Sequence, residues 1–367
     1  MPYKYFDRTK LIIKTLSERK NKVVIESDHI PVTQQPQNKS EIFLSTIKIV
    51  SQRIKNARNL NLPVILAFGA HTIKNGMGPT IIKLIEEGWV THLATNGAGI
   101  IHDWEFSFQG KSSEDVRANV TKGEFGTWEE TGKFINLALV VGAYEGKGYG
   151  ESVGSMIQNE GINIPSEEEI NELIISYREK GLEKVAAAID LLDTIKRFNL
   201  KSGWQNILFP FKKYCVQAAA FRLGIPFTGH PMIGHDIIYC HPFNNGAAIG
   251  RTALRDFLTF AEAINRLEGG VYMSVGSAVM SPMIFEKSLS MAQNLWIQKN
   301  RHIDNHYMLI VDLAESDWDW QKKGEPPQTD PGYYLRYLKT FSRMGGTMKY
   351  LTADNRDFLL ALYQSLQ

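Results

Sequence analysis

The chain has 367 residues, 43% of them hydrophobic, and sets 41 Lys and Arg against 39 Asp and Glu, a formal net charge of +2. It is long enough to bury a sizeable core, and its near neutrality argues against a dedicated nucleic-acid binder, which carries a basic stripe. No run approaches the roughly 20 apolar residues that cross a bilayer, MPYKYFDRTKLIIKTLSERK lacks the apolar core of a signal peptide, and Cys215 and Cys240 build no CxxC and no disulfide framework. These features predict a cytoplasmic protein with no membrane and no nucleic-acid partner.

Residues 1–40 are polar and mixed, and SDHIPVTQQPQNKSE reads as an extended connector. The expected division is an N-terminal extension over 1–40 and a single α/β domain over 41–367. From residue 41, EIFLSTIKIVSQRIKNARNL has apolar residues at helical spacing. LPVILAFGA reads as a buried strand, PTIIKLIEEGW as a helix closed by Gly88, and THLATNGAG as the next strand and its loop. EEEINELIISYREKGLEKVAAAIDLLDTIKRF reads as two helices broken near Gly181, and LFPFKKYCVQAAAFRLGIP as another that leads into FTGH. The alternation continues through a helix in GRTALRDFLTFAEAINRL, a strand in GGVYMSVGSAV, a helix in SPMIFEKSLSMAQNLW and a strand in HYMLIVDLAESD. GYYLRYLKTFSRM, TMKYLTAD and RDFLLALYQSL close the chain as helix, strand and helix. Strands alternating with helices predict a mostly parallel twisted sheet covered on both faces, Rossmann-like, with ligands at the carboxyl ends of the strands. Those ends are expected at Gly69–Thr72, Thr95–Asp103, Gly229–His241, Gly276–Met280, Asp312–Asp319 and Asp354.

LATNGAGIIHDWEF is the most informative stretch. Small residues after a strand let a ligand approach the backbone, and amides at a following helix start can hold phosphate. Gly276, Ser277 and Ala278 repeat the pattern after VYMSV; two ordinary βα turns would explain it equally well. In ALVVGAYEGKGYGESVG the glycines at 146, 148, 150 and 154 depart from the G-x-G-x-x-G spacing, and NEGINIPSEEE after them offers no strand. A Gly-rich surface loop is the plainer reading there. GHPMIGHDIIYCHPFNNG gathers His230, His235, Asp236 and His241 without matching a common zinc motif. AESDWDWQKK sets Glu315, Asp317 and Asp319 among Trp318 and Trp320, which suits a bound cation or a solvated acidic loop.

From about residue 60 to 366 the chain resembles deoxyhypusine synthase. The resemblance lies in NGMGPTIIKLIEEGWVTHLATNGAGIIHD, TGKFINLALV, GIPFTGHPMIGHDIIYCH, GVYMSVGSAVMSPMIFEKSLSM and MLIVDLAESDWD. It implies a parallel α/β fold of deoxyhypusine synthase type that binds NAD, a homo-oligomer (dimer or tetramer), and transfer of an aminobutyl-type group from a polyamine. By the same resemblance TGKFINLALV ends in a strand. Thr95, Asn96, Gly97, Ala98, Gly276, Ser277 and Asp317 would lie along the NAD, and Asp236 would face the polyamine. The family's histidine and asparagine after its Gly triplet fall on Pro282 and Glu286, and Lys339 stands nearest its imine-forming lysine.

The expected function is therefore an NAD-binding transferase acting on a polyamine-like or guanidine substrate. Its catalytic candidates are His102, Asp236, His241 and Lys339, and its substrate contacts His235, Glu286, Glu315 and Trp320. No metal site is expected in that reading. The alternatives are a metal-dependent C–N hydrolase of a guanidine compound such as agmatine, and a non-catalytic ligand-binding homologue.

Overall fold

All five residues of VILAF, Val64–Phe68, are buried in a computed structural model that describes residues 3–176 and 181–367. Val64, Leu66 and Phe68 enter one apolar cluster, and Ile65 and Ala67 enter another. The period of two thus divides one strand between two cores, as in a sheet covered on both faces.

Six strands build that sheet: β2 (Val64–Phe68), β3 (His92–Asn96), β7 (Phe227–His230), β8 (Val271–Val275), β9 (Tyr307–Asp312) and β10 (Thr347–Thr352). Every pairing in it is parallel; apart from it, β5 (Gly161–Ile164), in the segment NEGINIPSEEE expected to hold no strand, pairs antiparallel with β6 (Gly203–Asn206). The spatial order is β10-β9-β8-β2-β3-β7. Numbered within the sheet from the β7 edge, this reads 3-2-1-4-5-6, the order of dinucleotide-binding α/β domains. The order reverses between β2 and β8, and a crevice is expected outside their carboxyl ends. β3, β7 and β9 end within the segments expected from the sequence, and β2, β8 and β10 end one or two residues before theirs, at Phe68, Val275 and Thr352.

The helices that matter for the site are α1 (Glu41–Asn59), α2 (Gly78–Glu86), α3 (Gly97–Gln109), α4 (Glu129–Glu145), α5 (Tyr149–Asn159), α6 (Leu182–Phe198), α7 (Val216–Leu223), α8 (Gly246–Asn265), α9 (Met280–Ile297), α10 (Arg336–Ser342) and α11 (Asn355–Leu366). α1, α3, α4, α5 and α11 supply the larger cluster, with Phe43, Trp104, Ile135, Tyr149 and Phe358 at its centre. Phe260 of α8, Phe285 of α9 and Phe341 of α10 fill the other. Of the two helices expected around Gly181, Glu167–Ile175 and α6 are seen, and residues 177–180 lie outside the described residues. The run ALVV, expected to end a strand, is instead the C-terminal part of α4.

The first forty residues contribute local structure. β1 (Asn21–Val24) pairs antiparallel with β4 (Lys111–Glu114), and Leu16 and Ile25 are buried in the larger cluster. No helix among the described residues is long and apolar enough to cross a membrane.

Candidate functional site

α3 starts where β3 ends. Asn96 caps it, its side chain accepting from the Gly99 amide at 2.9 Å. Thr95 Oγ1 donates to the Phe68 carbonyl at 2.8 Å and ties this corner to the end of β2. A cavity of about 590 Å³ opens beside that helix start, within the range of small-molecule sites. Ala98, His102 and Glu105 of α3 form one wall, the β1–β4 ribbon with Arg19 a second, and His235 and Asp236 of the loop after β7 a third.

The α3 wall is wired. His102 Nδ1 lies 2.7 Å from Ser112 Oγ, and that hydroxyl donates to Glu105 Oε2 at 2.6 Å. Arg19 grips Glu105 through both oxygens at 2.7 and 2.5 Å, and Thr131 adds a hydroxyl at 3.0 Å. Burial pushes the Glu105 carboxyl up, but the Arg19 charge and these donors outweigh it and hold it below its ordinary range. The carboxylate is therefore ionised and only accepts. Ser112 has one proton and gives it to Glu105, so it must accept from His102. That assigns the Nδ1–H tautomer to the neutral ring and leaves a lone pair on Nε2. Burial lowers the His102 pKa to about 4, Glu105 opposing and Lys74, Arg19 and His71 assisting. At neutral pH the ring is an unprotonated base on the cavity wall.

Asp236 stands on the first residue of α3. A Cβ at Gly97 would come within 2.0 Å of Asp236 Oδ2, so the approach requires glycine. Its one protein hydrogen bond among the described residues comes from the Ile238 amide at 3.3 Å. Burial raises its pKa to about 7. The hydroxyls of Tyr149 and Tyr239 are buried without a hydrogen-bond partner among the described residues, and both feel the Asp236 charge. Unpartnered buried hydroxyls beside a cavity are where a water or a polar ligand group belongs.

A second, smaller crevice of about 280 Å³ lies at the carboxyl ends of β8, β9 and β10, lined by His71, Gly276, Asp312 and Asp354. A Cβ at Gly69 would stand 2.0 Å from the Gly276 carbonyl, so the two switch-point loops touch backbone to backbone. Gly276 sits at φ 58, a conformation glycine adopts freely. Ser277 Oγ is spent on the Ser281 amide at 3.2 Å.

Other expected site residues lie elsewhere. His241 is buried, its Nε2 3.0 Å from Glu129 Oε2, while Nδ1 accepts from the Phe243 amide at 3.2 Å. His230 bonds the Thr228 hydroxyl at 2.9 Å and meets the Phe260 ring edge-on at 5.4 Å. The histidines of this segment are thus dispersed, and no three His, Cys, Asp or Glu side chains among the described residues converge as a metal site. Trp320 is core, its indole N–H donating to Ser316 Oγ at 2.9 Å, and Glu315 and Asp317 are exposed. Glu286 pairs with its neighbour Lys287. Asp103 lies one helical step from His102, turned away from the cavity, and accepts from the Val216 and Gln217 amides at the start of α7 at 3.0 and 2.9 Å. Arg19, Lys74, Ser112 and Tyr149 went unread in the sequence. The polar corner beside a Gly-capped helix was the only trace they left.

The fold and this cavity define a parallel α/β domain with dinucleotide-domain strand order and a polar site at its carboxyl edge. No family model and no curated protein matches the chain. Among solved structures it is similar to a conserved LOR/SDH protein from Methanococcus maripaludis S2, at 12% identity and TM-score 0.44, over 92% of this chain and 73% of that one. It is also similar to AgrE, solved as a ternary complex with ornithine and NAD+, at 15% identity and TM-score 0.44, over 89% of this chain and 34% of that one. A third is ArgZ, an arginine dihydrolase from the ornithine-ammonia cycle in cyanobacteria, at 13% identity and TM-score 0.42, over 90% of this chain and 33% of that one. This chain therefore spans about a third of the length of AgrE and ArgZ.

The expected membership of the deoxyhypusine synthase family is corrected accordingly: the similar structures are LOR/SDH, AgrE and ArgZ chains. The aminobutyl transfer and the tetramer implied by that resemblance fall with it. The site agrees with the correction. Lys339, the stand-in for the imine-forming lysine, is bound to Glu325 at 2.8 Å and lies 3.4 Å over the Tyr333 ring, and is not among the residues lining the cavity.

Proposed function

We propose that this chain is an NAD-dependent enzyme that acts on a small cationic amine or guanidine compound in the 590 Å³ cavity. The observation that carries the reading is that His102 and Asp236 line one cavity at the carboxyl edge of a sheet of dinucleotide-domain order, the ring held low and the carboxyl raised by burial. Gly276 and the turn Thr95–Ala98 would hold the cofactor. Their fit rests on Gly276 lining the switch-point crevice without a Cβ and on Ala98 lining the cavity beside it. NAD, when bound, supplies a hydride acceptor.

The residues of the chain do the rest. Asp236 meets a substrate cation as a neutral acid and releases its proton as the pair forms, because a nearby positive charge favours the carboxylate. His102 Nε2 takes a proton from the substrate. The imidazolium so formed keeps its Nδ1–H on Ser112, and the Glu105 carboxylate behind that hydroxyl stabilises it.

Two measurements test the reading. NAD at about 100 times its dissociation constant should raise the thermal midpoint by a few degrees, equivalent to roughly 2.7 kcal/mol. NAD reduction should follow with one of a panel of polyamines, guanidines and basic amino acids. His102→Gln should then lower kcat/KM by about 10²–10⁴-fold, the usual worth of a general base, with the unfolding midpoint almost unmoved. Full turnover in that variant removes His102 from the mechanism.

A further inference from the structure

The cavity's charges sort by internal pairing. Arg19 is spent on Glu105, and Lys22 on Asp115 at 2.9 Å. Glu114 is held by the Trp128 indole N–H and the Asn119 amide. Three charged groups of the lining remain without an ion pair among the described residues: Lys74, Asp236 and, exposed at the rim, Arg117. Lys74 ends the short helix Ala70–Lys74 that follows β2, and it is close enough to depress the His102 ring. Asp236 stands on α3 beside the partnerless Tyr149 and Tyr239 hydroxyls. Exposed Arg117 adds a second cation at the rim. A purely cationic ligand would satisfy Asp236 and bring like charge toward Lys74.

We propose that the substrate is a zwitterion, a small amino acid with a basic side chain, whose carboxylate is received by Lys74 and whose cationic nitrogen is received by Asp236. This rests on the cavity being the substrate site. It narrows the expected polyamine class to compounds that keep an α-carboxylate.

The test uses matched pairs that differ by that carboxylate, ornithine with putrescine and arginine with agmatine, titrated calorimetrically into the full chain with NAD present. The amino acid of at least one pair should bind about 10-fold or more tighter than its decarboxylated partner, the worth of one charge-assisted hydrogen bond. In Lys74→Met that preference should shrink below about 3-fold, while Asp236→Asn should weaken both members alike. Lys74 is partly exposed at a helix end, so its variant should unfold with the wild-type midpoint. Diamines that bind as tightly as the amino acids, or a preference that survives Lys74→Met, overturn the zwitterion and leave the cavity reading standing. Failure of all four compounds to bind overturns the cavity reading and this inference together.

Discussion

Two aspartates in this molecule occupy the same local device and use it oppositely. Asp236 stands on Gly97 at the start of α3, and Asp256 stands on Gly148 at the start of α5. Both helices admit the carboxyl only because glycine lacks a Cβ, which would fall 2.0 Å from Asp236 Oδ2 and 1.8 Å from Asp256 Oδ1. Burial raises both carboxyls to about 7. The difference lies in the donors. Asp256 Oδ2 accepts from the Gly150 and Gly229 amides at 2.8 and 2.6 Å and joins α8, α5 and β7. Asp236 takes a single long bond from its own loop and faces a cavity. A carboxylate locked by amides from two other elements holds the fold, whereas one left short of donors is free to meet a ligand. The Gly-rich turn between α4 and α5 is therefore no open surface loop: it already holds a side chain, the carboxyl of Asp256.

Removing each side chain separates the two roles. Asp256→Ala leaves two buried amides unpaired, at about 1–3 kcal/mol apiece, so the urea midpoint should drop by the equivalent of about 2–6 kcal/mol. Asp236→Ala should cost less than about 1 kcal/mol and abolish calorimetric binding of a cationic ligand. Equal stability losses would erase the distinction. A smaller effect is expected from Gly148→Ala, where the added methyl meets a fixed carboxylate and costs about 1–3 kcal/mol of overpacking. At Gly97→Ala the Asp236 side chain can yield into the cavity, so ligand affinity should fall more than stability. The pair of variants, compared by denaturant midpoint and by calorimetry, reads the rigidity of each aspartate.

Much of this was legible in the chain and some was not. The strands of the sheet announce themselves as apolar runs closed by small residues, and that pattern located the carboxyl ends to within two residues, including the corner at Thr95–Asp103. The His102 and Asp236 side chains that line one cavity there lie 134 positions apart, and only the 3-2-1-4-5-6 order brings β3 and β7 side by side. Arg19 was hidden for another reason. A basic residue in a polar stretch carries no mark of burial, and its burial exists only because Glu105 waits beneath β1 with the complementary fork. The acidic Trp loop misled in the other direction. Carboxylates beside indoles suggest a cation site, but Trp320 had a core to fill and its neighbours were left facing solvent.

The smallest expected effect concerns the proton on Asp236. Its folded pKa of about 7 lies above the ordinary 3.8, so between about pH 4 and 7 the folded chain holds a proton that the unfolded chain has lost. Stability from this group is present at low pH and is lost as pH rises through that window. His92 and His230 at about 3, with His102 at about 4, act in the opposite sense. The unfolded chain takes up their protons below about 6.5, so their contribution is lost as pH falls. Asp256, also raised to about 7, acts with Asp236. Three imidazoles against two carboxyls leave about one proton in favour of the unfolded chain, so wild-type stability should fall on acidification between about pH 4.5 and 6.5 by up to about 1.4 kcal/mol per pH unit. Asp236→Asn removes one opposing proton, so its stability should fall more steeply than the wild type's on acidification, by up to about a further 1.4 kcal/mol per pH unit. Urea midpoints at the two pH values measure that slope. A variant slope equal to the wild type would mean that Asp236 is already ionised in the folded chain, and a bound cation would then release no proton.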